Sequence, residues 1–171
     1  MNADTIQFSL ASDQKVDREL PSFLGSLIVF FSEQSLSEYG KGGRRPVPPE
    51  VSKKVEHNDL PVTHRVLTDW TRHAFVLEKA YEGVEQQNAD ARYLVRRKAS
   101  VAYETLLPTD PAEKLKFVRA NAGSIVERVI AILVEDYKKS TNIKVAEEIA
   151  HLAVSLVVAD AVIECEVLEK P

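Results

Sequence analysis

The stretch from Asn142 to Leu168 constrains this chain more than any other, because apolar residues dominate every face it could present. As a helix it carries a polar stripe of Lys144, Glu147, Glu148, His151 and Ser155, and the same face then continues as Val158, Ala159 and Val162. A helix without a wet side must be covered by its neighbours or by another chain. Asp160 and Glu164 fall on roughly the opposite face. Either Asp160 is buried and paired, with the arginines that follow Asp90 as partners, or it forms an exposed edge with Glu164. The exposed edge is the expectation.

A second apolar segment runs from Pro21 to about Tyr39, with Phe23, Leu24, Leu27, Ile28, Phe30, Phe31 and Leu36 covering a broad surface. Pro21 suits a first helical turn, where its missing N–H costs nothing. Together these two segments offer more apolar face than a small bundle readily hides, which points to self-association or a permanent protein partner. The interface candidates on that basis are Phe23, Leu27, Phe30, Phe31, Leu156, Val158 and Val162.

The intervening chain reads as helices joined by turns. Gly40 to Pro49 holds three glycines and three prolines and forms a basic loop, flexible at its start and stiff at its end. A short polar helix over Glu50 to Glu56 precedes a longer one, capped by Asn58 or Asp59 with Pro61 in its first turn and a stripe of Val66, Trp70, Ala74, Leu77, Tyr81 and Val84. The next, about Asp90 to Leu107, buries Ala91, Leu94, Val95, Ala102 and Leu106. Asp110, Pro111 and Glu113 then make a capping box. Asn121 to Gly123 signal a helix end and Ser124 with Glu127 a new start, so two helices meet there or one helix kinks. The second piece turns Ile125, Val126, Val129, Ile130, Leu133 and Tyr137 inward and ends on Lys138 and Lys139, which suit the negative end of a helix dipole.

The expected fold is an all-α bundle of six or seven helices in one domain over 1–171, with the closing segment at its centre or at a subunit contact and 1–15 as a possible arm. Alternation in Thr5 to Leu10 and in Ala161 to Val167 allows a short strand at one or both ends, although a helical end to the second is preferred. A formal net charge of -4 argues against a surface covered in positive charge. Cys165 is the only cysteine, which excludes an internal disulfide and a cysteine-rich zinc site and fits a reducing, cytoplasmic setting. Met1 to Leu10 lacks the pattern of a signal peptide, and no apolar run reaches the length of a membrane span, so no membrane is expected.

Several residue sets invite a chemical reading. Gly40 to Arg45 has the composition of a phosphate loop, but a Walker loop follows a strand and carries Ser or Thr after its lysine, where Gly42 stands here. Lys41, Arg44 and Arg45, with Arg92, Arg96, Arg97 and Lys98, could hold phosphates, with Tyr103 available for stacking; solvated ion pairing is the plainer explanation. Glu148 and His151 have Glu-x-x-His spacing, but no second such pair exists, so no metal site is expected. Asp69 and His73 lie one turn apart beside Trp70 and could form an oriented imidazole.

The expected function is accordingly that of a non-enzymatic helical interaction subunit, such as an assembly, adaptor or immunity component, with no cofactor. The alternatives are a nucleic-acid-binding subunit using the arginine cluster and the Lys41 to Arg45 loop, and an enzyme with a site near Asp69 and His73.

Overall fold

Six helices account for most of the described residues, which are 22–34, 44–140, 145–164 and 166–171 of a computed structural model. They are α1 (Phe23–Glu33), α2 (Pro49–His57), α3 (Arg65–Glu85), α4 (Ala91–Glu104), α5 (Pro111–Ser140) and α6 (Glu147–Ile163), and no strand occurs among these residues. The protein is all-α. Thr5 to Leu10 and the start of the Gly40 to Pro49 loop lie outside the described residues.

Helix α6 occupies the centre and touches α1, α3, α4 and α5. Its polar stripe ends at Ser155, and from Ala153 to Val162 every residue is buried. A helix with no wet side is stable only with such a jacket. Each fully covered Leu or Val there contributes about 1.5–3 kcal/mol relative to exposure. The interface candidates Leu27, Phe31, Leu156, Val158 and Val162 are each at most 1% exposed within this one chain. Phe23 and Phe30 are partly buried against the same core. The apolar surplus inferred from the sequence is therefore largely taken up by the chain itself, because α1 and α6 cover each other and share α3 as a wall.

Helix α3 approaches α1 closely at Gly83, where a Cβ would come within 2.7 Å of the Phe30 ring. Glycine is required here by contact and not by backbone conformation.

Side-chain caps close the starts of α3 and α5, though not always as the sequence suggested. Asp110 caps α5, its carboxylate accepting from the Ala112 N–H at 2.9 Å. Asn121 to Gly123 do not end that helix, which runs unbroken through them, with Ala122 packed in the core. Asn58 and Asp59 do not cap α3; Asp59, at φ 55°, closes α2, and α3 begins at Arg65 with His64 Nδ1 accepting from the Val66 N–H at 3.4 Å. Leu94, expected inside, is 42% exposed.

The Ala161–Val167 strand alternative fails at its first half, since Ala161 to Ile163 complete α6. Cys165 lies outside the described residues. The helix end is closed by the Glu166 and Val167 N–H groups, which donate to the Ala161 carbonyl at 2.8 and 3.2 Å. Lys54, 1% exposed, donates through Nζ to the Val162 carbonyl at 2.8 Å, placing a cation at the negative end of α6. Beyond it, Asn58 holds the Glu169 backbone from both sides, donating to its carbonyl at 2.7 Å and accepting from its N–H at 3.0 Å.

Candidate functional site

Helix α4 has two faces of different character, and both follow from side-chain size and spacing. Ala91, Val95, Ala99 and Ala102 are small or narrow and let α4 lie close against the core. Arg92 and Arg96, one turn apart, flank that seam and reach inward. Arg96 Nε donates to Asp160 Oδ2 at 2.7 Å, and its Nη2 lies 3.7 Å from Glu164. Arg92 donates to Glu78 at 2.9 Å and to Glu85 at 2.9 Å.

Between them stands the ring of Tyr81, its centroid 4.4 Å from the Arg92 guanidinium and 5.9 Å from that of Arg96. Burial pushes the Tyr81 hydroxyl well above its usual pKa and the neighbouring Asp160 charge adds to this, so it stays protonated although no hydrogen bond of sound geometry reaches it. Burial also raises the Asp160 carboxyl above its ordinary range, against the opposing pull of Arg96. Asp160 is thus a buried, paired carboxylate and not the exposed edge expected from sequence. The hydrophobic jacket of α6 leaves it nowhere else to go.

The remaining cations of the sequence cluster are also matched. Arg97 donates to Glu104 at 3.0 Å and Lys98 lies 3.3 Å from Asp136. The patch read as a phosphate track is therefore interleaved with carboxylates. Tyr103, read as a stacking ring, is 4% exposed and donates its hydroxyl to Glu169 at 2.6 Å. Arg44 and Arg45 are exposed at the start of α2's leading segment, while Lys41 lies outside the described residues.

Asp69 and His73 do sit near one another on α3. His73 is half-buried, and burial lowers its pKa while Asp69 opposes and Arg72 reinforces the shift. Trp70 is only 6% exposed, so its ring serves the core and not an accessible cleft. Glu147, beside the Glu148 and His151 pair, is held by Lys138 at 2.8 Å, and His151 lies 3.5 Å from Ser155 Oγ. Among the described residues no group of three His, Cys, Asp or Glu side chains could hold a metal ion. Among them, too, no helix is long and apolar enough to cross a membrane.

The outer face of α4 is the site that sequence reasoning missed. Tyr93 is 59% exposed, Leu94 42% and Val101 45%, and they share one face with Arg97 and Glu104. Leu94 and Val101 are seven residues apart, out of phase with the buried Val95, Ala99 and Ala102 series. That second periodicity is the signal the sequence offers; Leu94 alone is expected on the inward stripe, and Tyr93 and Val101 are assigned to no face. Comparison with family models, with curated proteins and with solved structures finds no match to this chain.

Proposed function

We propose that this protein is a helical interaction subunit that pairs with a second copy of itself through the outer face of α4. The observation that carries this is the exposure of Tyr93, Leu94 and Val101 on one face of a helix whose other side is buried. Large apolar side chains grouped in this way favour contact over solvation, and tyrosine and arginine are the residue types that most often anchor protein interfaces.

The strip is also self-complementary. Arg97 and Glu104 lie on either side of Val101. In an antiparallel twofold pairing centred there, each copy's Arg97 meets the other's Glu104 while the two Val101 side chains exclude water. Both charged side chains are about half exposed, and pairing between copies exchanges their 3.0 Å contact within one chain for two across the twofold. The contact lies on a different element from the α1 and α6 residues first expected to carry it, because those residues close the core. A small strip of this kind supports a weak, concentration-dependent dimer and not an obligate one.

Light scattering on the full chain between about 1 and about 500 µM tests it. The expected result is a molar mass rising towards that of a dimer, and a Val101→Glu variant that stays monomeric. A wild-type protein monomeric throughout that range overturns the assignment.

A further inference from the structure

Three arginines meet where the segment leading into α2 crosses α3. Arg44 and Arg45 precede α2, Arg72 projects from α3, and together with Pro46, Thr71, Ala74 and Phe75 they line one recess of about 230 Å³. That volume lies below the roughly 300 Å³ at which sites for drug-sized molecules begin. It suits a small anion.

The recess is held in place before any ligand arrives. The Arg45 N–H donates to the Thr71 carbonyl at 2.8 Å, which fixes the incoming chain against α3. Pro46, Pro48 and Pro49 stiffen it, and Val47 packs on the core. Ordering costs that weaken binding to mobile loops are thereby reduced.

Charge sets this place apart from the arginine cluster of α4. The arginines of α4 are matched by carboxylates, whereas among the described residues Arg44 and Arg72 have no carboxylate within salt-bridge distance and Arg45 reaches Glu78 alone, at 4.0 Å. Glu78 is already engaged by Arg92 at 2.9 Å. Three guanidinium groups around one recess repel each other unless an anion lies among them, and their planar forks match phosphate oxygens. Beside them the Phe75 ring is 58% exposed, with the Lys79 ammonium 5.7 Å from its centroid and Lys79 itself paired to Glu82 at 2.6 Å. An apolar ring at the rim of a cationic recess has a use if the ligand carries an organic group as well as its charge.

We propose that this recess binds a small phosphomonoester, with Arg44, Arg45 and Arg72 on the phosphate and Phe75 against a ring or other apolar group of the ester. It is independent of the α4 contact, and either assignment can fail without the other.

Isothermal titration of the full chain at low salt, with phenyl phosphate and with inorganic phosphate as probes, tests it at a pH of about 7.5, where a phosphate carries close to two negative charges. The expected result is saturable binding of phenyl phosphate, tighter than that of inorganic phosphate. Arg44→Gln and Arg72→Gln should each weaken it about tenfold, as loss of a charged hydrogen-bond donor does. Phe75→Ala should remove the preference for the aryl ester, and Arg128→Gln, at an exposed position on α5, should change nothing. Absence of binding, equal affinity for the two probes, affinity unchanged in the Arg44 and Arg72 variants, or tighter binding of a single-stranded oligonucleotide than of phenyl phosphate would each overturn the proposal.

Discussion

Arg96 Nε donates a 2.7 Å hydrogen bond to Asp160 Oδ2, tying α4 to the central helix where the Asp160 side chain is 5% exposed and that of Arg96 16%. Such a pair must hold two charges away from water, and removing one partner strands the other. Asp160→Ala is therefore expected to cost about 3 kcal/mol in urea unfolding, while Arg96→Met combined with Asp160→Leu is expected to be near neutral or stabilising. A double variant as unstable as the single one would show that the pair stabilises the fold beyond its own desolvation.

Gly83 offers a test in which two effects of opposite sign compete. On an exposed helix face, alanine in place of glycine would gain up to about 1 kcal/mol of helix propensity. Here the new methyl would stand 2.7 Å from the Phe30 ring, and displacing that ring from the α1 and α3 contact costs about 1–3 kcal/mol. Gly83→Ala should lower the unfolding midpoint in the wild-type background and raise it in a Phe30→Ala background. The same sign in both backgrounds would remove Phe30 as the cause.

The half-buried His73 gives a pH dependence whose direction is fixed. Burial holds its folded pKa below 6.5, so as pH falls through 6.5 the unfolded chain takes up a proton that the folded chain resists. This residue's contribution to stability is present above that value and lost as pH falls through the folded pKa. Urea midpoints at about pH 7 and about pH 5 should therefore differ more for the wild type than for His73→Gln. An NMR titration midpoint for His73 above 6.5 would contradict the assigned environment.

Much of the bundle was legible because helical periodicity reports burial directly. The α3 series from Val66 to Val84 and the α5 series from Ile125 to Tyr137 are all buried as spaced. The unrelieved apolar character of α6 marked it as the centre or a contact, and it is the centre. What the pattern did not reveal was which residues oppose one another. Asp160 could be placed only once α4 was known to cross α6 with Arg96 at the crossing. The Asn121 to Gly123 stop signal failed because packing around Ala122 and Ile125 outweighs local propensity over so short a stretch. Arg72 and the Arg44–Arg45 pair are 27 or more residues apart, so their shared recess is a property of the fold and not of any motif.

The proposed function depends most directly on the pairing of Arg97 with Glu104 across two copies of α4. Sedimentation equilibrium of Arg97→Glu, of Glu104→Arg and of the two combined tests that contact, with urea unfolding of each variant to separate it from loss of the 3.0 Å Arg97–Glu104 pair within one chain; both positions are exposed and neither change disturbs the core. Each single reversal is expected to abolish dimers by setting like charges against each other, and the combined exchange to restore them. Dimers that persist in both single variants, or that the combined exchange fails to recover, would contradict it.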